Sequence, residues 1–361
     1  VAKGGFYGGP AYYIRYGLNN KALSILFAIL ISITYGWIYN SVQANTLAAS
    51  LQVFNFDVSY TGAVVAILLG IIIFGGINRV AKASEIIVPI MAILYIATAL
   101  FVVIMNITQF PHVIYTIISS AFEPVAAGGG LLGATVMNGI KRGLFSNEAG
   151  EGSVPNAAAT AAVNHPVEQG LVQAFGVFLD TFIICTASAF IVLIVGDYST
   201  TGLTGVALVQ HNLEQQLGSW APTAVAIFIV MFSFSSLIGN YYYGEINISH
   251  LTEKKFYLHL FRIGVIIMTF VGSIASLDLV WNLADLFMAF LVLTNISSIV
   301  RMGRTAGLAL DDYIKQRKAG IETPVFNRSV LNHTYGIVWW GDGQTTDSSV
   351  PPTPVEATME K

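Results

Sequence analysis

The sequence predicts an all-α integral membrane protein with about eight transmembrane helices, on three observations. Charged residues make up 10% of the 361-residue chain and hydrophobic residues 55%, with a mean hydropathy of +0.68. Soluble domains carry roughly 25% charged residues. Apolar runs of bilayer-spanning length recur along the chain, and Lys and Arg gather in alternate connecting segments.

A helix needs about 20 apolar residues to cross the hydrocarbon core. By that measure crossings fall near 22–50, 59–77, 84–106, 131–162, 168–196, 221–246, 259–277 and 280–300. Between the third and fourth, Phe110 to Gly130 reads as a short amphipathic helix lying outside the membrane or folding back into it. Pro111, Pro124 and Gly128-Gly129-Gly130 argue against a ninth span.

Positive charge sets the orientation. Lys3, Arg15 and Lys21 precede the first span, Arg79 and Lys82 separate the second and third, and Lys254, Lys255 and Arg262 separate the sixth and seventh. Arg301 through Lys361 follow the last. The alternate loops, 51–58, 106–130, 196–220 and 276–279, contain no Lys or Arg. Both ends of the chain therefore read as cytoplasmic, with Lys141 and Arg142 outside the scheme. The transmembrane domain occupies 1–304 and a cytoplasmic tail 305–361. From Asp311 on, the tail mixes charges with prolines, has no periodic apolar face, and reads as partly disordered.

The net charge of −3 indicates neither a nucleic-acid footprint nor an acidic tail. The single cysteine, Cys185, has no intrachain disulfide partner and sits in an apolar run. Val1 to Asn20 lack the pattern of a signal peptide, and the chain opens without methionine, which points to a natural N-terminus lying upstream. No His-Glu-x-x-His, nucleotide loop or Ser/His/Asp arrangement occurs, so an enzymatic reading has no support.

The fourth span carries the most informative stretch, Gly143-Leu-Phe-Ser-Asn-Glu-Ala-Gly-Glu-Gly-Ser-Val-Pro-Asn-Ala-Ala-Ala-Thr160. Gly150, Gly152 and Pro155 interrupt the helical ladder. Asn147, Glu148, Ser153 and Asn156 add polar groups that hydrocarbon penalises by several kcal/mol if unpaired. A broken helix exposes N–H groups at one half-helix start and C=O groups at the other's end, and these suit a carboxylate and a cation such as sodium. The competing reading is a packed kink, with Glu148 paired to Arg142 or Lys141.

The first span holds Tyr35, Asn40, Ser41, Gln43, Asn45 and Thr46 between apolar flanks, and helical spacing places Tyr39, Gln43 and Thr46 on one side. Amides donate and accept, as a zwitterion or amide substrate requires; interhelical hydrogen bonding is the rival explanation. In the sixth span Ser235 and Ser236 offer hydroxyls, with Asn240 one turn beyond Ser236. Hard cations take oxygen ligands, although membrane serines commonly bond their own backbone. Glu85 reads as interfacial. Asp180 and Asp285 lie deeper and read as paired in the bundle interior, with an ion-coupling role as the alternative.

These residues resemble the alanine or glycine:cation symporter family. The resemblance is carried by Gly-Leu-Phe-Ser-Asn-Glu-Ala-Gly-x-Gly-Ser-x-Pro-Asn-Ala-Ala-Ala at 143–159 and by His165-Pro166 with Gln169-Gly170. Gly8-Gly9-Pro10-Ala11-Tyr12-Tyr13-Ile14, Ser41-Val-Gln-Ala-Asn45 and Tyr241-Tyr-Tyr-Gly-Glu245 extend it, and it runs from Gly8 to about Arg304.

The resemblance implies the inverted-repeat fold shared with the bacterial leucine transporter, with 131–162 as core helix six and the first span as core helix three. Core helices one and two are then missing from this chain, and the polypeptide by itself is not expected to transport. It also implies sodium-coupled symport of a neutral amino acid across the cell's inner or plasma membrane by alternating access. The substrate site carries over to Gln43, Phe145, Ser146, Asn147 and Gly150, and the first span's Asn40 and the sixth span's Ser236 are counted with them. The sodium hydroxyls carry over to Ser235 and Ser236. Where the family's alanine and glycine transporters tend to carry tryptophan, this chain has Asn240. A smaller, polar side chain there points to a larger polar substrate such as glutamine. A cation channel-like subunit and an amino-acid-binding membrane sensor are the rival classes. Proton coupling through Glu148 or Asp180 is the variant of the main reading.

Overall fold

The computed structural model describes residues 8–75, 77–121, 131–196 and 200–332, and these are helical with no strand among them. Lys3, the side chains of Arg79, Lys82 and Glu85, Pro124, Gly128 to Gly130 and the tail beyond Asn332 lie outside the described residues.

Five helical runs are long and apolar enough to cross a membrane: Lys21–Phe54, Pro166–Leu193, Ala221–Leu251, Lys255–Ile274 and Leu277–Lys318. They coincide with the expected first, fifth, sixth, seventh and eighth spans. A sixth candidate is the pair Ile93–Met105 and Phe110–Ser120, bent by 98°. The short helix expected after the third span is present as Phe110–Ala121. Val58–Phe74, at 17 residues, is apolar but short, and its first turn is closed by Asp57, whose carboxylate accepts the Ser59 N–H at 2.8 Å. The segment expected as the interrupted fourth span forms Leu131–Asn147 and a five-residue helix Val154–Ala158, and neither is among the helices long and apolar enough to cross a membrane. Glu148 stops the first piece by entering the left-handed region at φ 48°.

Three features differ from what the sequence pattern predicts. The last helix runs 42 residues to Lys318, about 63 Å of rise, twice the hydrocarbon thickness, so its C-terminal part extends well past the apolar stretch. Gly205–Leu217, expected as loop, is a helix whose buried amides serve neighbouring helix ends. Gln210 donates to the carbonyls of Ser50 and Pro222, and Asn212 to those of Ile191 and Val192. Two spans also contain π-helical turns, Thr34–Tyr39 and Asp180–Cys185, which no sequence pattern announced.

The chain divides into two compact units. One comprises Ser32–Asn147 and Phe178–Met288. Its core clusters Leu47, Leu69, Leu237, Tyr241, Phe261 and Val265. Helices Asn40–Ser50 and Lys255–Ile274 touch backbone to backbone: a Cβ on Gly272 would fall 2.3 Å from the Ser41 Cα. Ser41 Oγ donates to the Met268 carbonyl, and Asn45 donates to those of Gly272 and Ala275. These two residues act as interhelical fasteners. The Tyr241-Tyr-Tyr-Gly-Glu245 run performs a similar task. Arg262 donates to the Tyr241 hydroxyl at 2.8 Å and to Glu245 at 2.7 Å, while Gly244 admits the Phe261 ring.

The other unit comprises Val1–Ile31, Glu148–Val177 and Ala289–Lys361. Tyr13 donates to Asn295, which donates to the Gly150 carbonyl at 2.9 Å. The expected disorder from Asp311 does not hold through residue 332. Gln316 pairs with both backbone groups of Val325 at 2.9 Å, and the Phe326 N–H donates to the Asn164 carbonyl at 3.0 Å. His165 is fully buried, with the rings of Tyr313 and Phe326 each 5.0 Å away. Its Nε2 faces Asp312 at 3.3 Å and its Nδ1 accepts the Val167 N–H at 3.2 Å, which fixes the neutral Nε2–H tautomer. Burial holds this imidazole below the ordinary histidine pKa, against the pull of Asp312 and Glu168.

Candidate functional site

The helix break ends on a three-residue tip, Phe145-Ser146-Asn147, that both π-helical turns contact. From the first span, Tyr39 presents its ring to Phe145 at 4.8 Å. On the other side, Trp281 lies 4.7 Å from the Phe145 ring. Ser146 Oγ donates to Asp180 at 2.7 Å and lies 3.2 Å from the Cys185 sulfur, while Thr181 donates to the Asn147 side chain at 2.9 Å. A π-turn widens the helix locally and redirects the side chains it carries, and such turns concentrate at functional sites. Here they aim Tyr39, Asp180 and Thr181 at one point.

Lys141 and Arg142, the two cations outside the charge pattern, both pair with Asp285, Lys141 at 3.3 Å and Arg142 in direct hydrogen bond. Arg142 also lies 4.1 Å over the Trp281 ring. Their pairing with Glu148 is therefore corrected: Glu148 accepts from Ser153. Trp281 and Thr181 were missed in the sequence. The signal for Trp281 was its i, i+4 spacing to Asp285, which puts both on one helix face.

Around the first span, Gln43 and Thr46 are half-buried while their neighbours are buried, as their shared face requires. Gln43 makes no side-chain hydrogen bond among the described residues. Asn40 is fully buried. Its Nδ2 donates to the Gly36 carbonyl at 3.1 Å, and its Oδ1 has no partner among the described residues. In the sixth span Asn240 is 6% exposed and its amide has no hydrogen-bond partner among the described residues. Helix Asn40–Ser50 and the π-turn before it both pack on Ala221–Leu251, with Tyr35 of the turn edge to face with Tyr243 at 5.3 Å. Ser235 Oγ donates to the Phe232 carbonyl at 2.9 Å, the local bond typical of membrane serines. Ser236 is half-buried and free of such a bond among the described residues. Gly150 falls in the other unit, at φ 80°, where a Cβ would meet Ile296 at 2.8 Å. A side chain there is excluded both by the backbone and by space.

Several helices long and apolar enough to cross a membrane fit a multi-pass membrane protein. The chain belongs to the Sodium:alanine symporter family, whose pattern matches residues 1–328. It is 49% identical over 337 residues to the probable sodium/glutamine symporter GlnT of Bacillus subtilis, covering 93% of this chain and 70% of that protein. It is 48% identical to the amino-acid carrier protein AlsT of the same organism, over 93% of this chain and 72% of AlsT. With the sodium/alanine symporter AgcS of Methanococcus maripaludis it shares 39% identity, over 81% and 66% of the two chains.

Proposed function

We propose that this protein is a sodium-coupled symporter of a neutral amino acid bearing a side-chain amide, with glutamine as the best fit. The observation that carries the substrate is Asn240: its side chain is 6% exposed and its amide makes no hydrogen bond to the described residues, so it can donate to and accept from a ligand's amide. The relatives named above include one described as a probable sodium/glutamine symporter. Gln43 and Asn40 Oδ1 add hydrogen-bonding capacity on the facing helix, and Phe145, Ser146, Asn147 and Gly150 supply the tip and its break. Sodium is transported as a co-substrate, with Ser235 and Ser236 as its hydroxyl ligands. These residue types suit sodium, which prefers hard oxygen donors.

The chain forms one transmembrane domain over 1–304, read as core helices three to ten of an inverted-repeat bundle with eight crossings. The remaining residues are a cytoplasmic tail, so that both ends face the cytoplasm of the cell membrane. Sodium binding favours the outward-facing state, the amino acid follows, and rocking of the helices around the tip exposes both to the cytoplasm. The protein carries out transport and no covalent chemistry.

Sodium-driven uptake of labelled glutamine by the full-length protein in proteoliposomes tests the reading. Unlabelled glutamine is expected to compete more strongly than alanine or glycine, and the reverse order overturns the substrate. Replacing sodium with choline at fixed pH abolishes uptake if sodium is the coupling ion.

A further inference from the structure

Beyond Glu148, the break in the helix is gripped by other segments of its own unit. The stretch Gly8-Gly9-Pro10 passes so close to residues 152–159 that no side chain fits between them. An added Cβ would fall 2.6 Å from the Ala159 Cβ at Gly8, on the Asn156 side chain at Gly9, and 2.7 Å from the Pro10 Cγ at Gly152. The same atom on Gly152 would lie 2.9 Å from the Phe27 ring and 3.0 Å from the amide carbon of Asn295. Asn295, on the last helix, is 3% exposed, and both ends of its amide are used. Its Nδ2 donates to the Gly150 carbonyl at 2.9 Å, and its Oδ1 accepts from the Tyr13 hydroxyl of helix Pro10–Tyr16. Chemistry fixes that orientation: a carbonyl only accepts, so the amide nitrogen faces Gly150 and the oxygen is left for Tyr13. Gly150 and Gly152 lie outside any helix, in the left-handed region at φ 80° and 87°. No helical ladder fixes the direction of the Gly150 carbonyl, so Asn295 does.

We propose that Asn295 and Tyr13 are positioning residues of the transport site: they hold the Gly150 carbonyl, and with it the backbone path through the helix break. Only Glu148 and Ala149 join Gly150 to the tip Phe145-Ser146-Asn147. A carbonyl freed by a helix break is a group that a solute or ion can use. Asn295 takes one of its lone pairs and sets where the other points. Tyr13 in turn holds the amide of Asn295, so the relay ties helix Pro10–Tyr16 and the last helix to the break. Both residues act through the backbone and need touch no substrate.

The inference rests on the transport reading above, and two measurements on the full-length protein in proteoliposomes keep them apart. The first is sodium-driven glutamine uptake by the wild type, Tyr13→Phe and Asn295→Leu, a substitution of similar shape without polar atoms. KM for glutamine is expected to rise about five-fold in each variant, the scale of one lost hydrogen bond, with the maximal rate nearly unchanged. Damage to folding alone removes active molecules and lowers the maximal rate at an unchanged KM. The second is hydrogen exchange of the 148–153 amides without amino acid, which should quicken in both variants whatever the substrate. Tyr13→Phe carries both readouts if Asn295→Leu does not fold. Ser24→Ala removes the Ser24 bond to the Ala11 carbonyl at 2.7 Å, loosening the same helix without touching Asn295, and should leave KM at the wild-type value. Unchanged KM or unchanged exchange in the Tyr13 and Asn295 variants overturns the proposal. An equal rise in KM from Ser24→Ala also overturns it, by assigning the effect to the docking of the whole helix. If the wild type takes up no glutamine, the substrate reading fails, and faster exchange in the two variants still upholds the hold on Gly150.

Discussion

The rings of Tyr39 and Phe145 meet with centroids 4.8 Å apart and planes inclined by 56°, joining the π-turn of the first span to the last turn before the helix break. Trp281 closes on the far side of Phe145 at 4.7 Å. Aromatic pairs of this kind contribute about 0.5–1.5 kcal/mol each beyond the area they bury. Phe145→Ala removes both contacts, so it should lower the melting temperature in detergent and raise KM for the amino acid. Phe145→Tyr should leave both within a few-fold of the wild type.

The Asp285 cluster has an asymmetry that mutation can read. Lys141→Gln or Arg142→Gln leaves the carboxylate with one cation, whereas Asp285→Asn leaves two cations at the site without a counter-charge. Asp285→Asn should therefore reduce thermal stability more than either single cation variant. Adding Arg142→Gln to Asp285→Asn should recover part of the loss. Equal effects from all three single variants would show the ion pairs to be solvated and of little consequence.

The clamp around His165 should respond to acid. Its imidazole has a folded-state pKa below the ordinary value of about 6.5, so the unfolded form binds more protons. The clamp is at full strength above that value and weakens as the pH falls below it. Hydrogen-exchange protection of the Val325 and Phe326 amides, corrected for intrinsic rates, should drop as the pH falls below about 6.5. His165→Gln should remove that pH dependence.

Close helix contact makes Gly272 intolerant of a side chain. Gly272→Ala places a methyl 2.3 Å from the Ser41 backbone, and overpacking of this kind costs about 1–3 kcal/mol or more. A methyl added at Gly143 would meet nothing within 4 Å, and Gly143→Ala in a helix interior should stabilise by about 0.5–1 kcal/mol. Thermal melts of the two variants should move in opposite directions. A fall in transport by Gly143→Ala despite the higher melting temperature would place a flexing point there.

Much of the fold was legible because bilayer thickness imposes a length and an apolarity on each crossing. The expected 221–246 span and the observed Ala221–Leu251 helix agree for that reason. The break after Asn147 was legible because glycines, a proline and polar side chains cannot continue a lipid-exposed helix. The Gly205–Leu217 helix was not, since it lies in a segment with no span-length apolar run, and its amides act on carbonyls distant in sequence. The order of residues 319–332 also escaped, because Gln316 and Asn164 recognise that segment through its backbone, which carries no sequence signature.

The sequence by itself determined that the chain is helical and membrane-embedded, where its main helix breaks, and which family it resembles. Those properties follow from local composition and from motifs contiguous along the chain. Only the tertiary structure decided which charges meet. Lys141 and Arg142 stand seven and six residues before Glu148 in the sequence yet reach Asp285 across the fold, and Asp180 receives only hydroxyl and thiol among the described residues. Pairing depends on which helix faces are brought together, and local composition does not specify that.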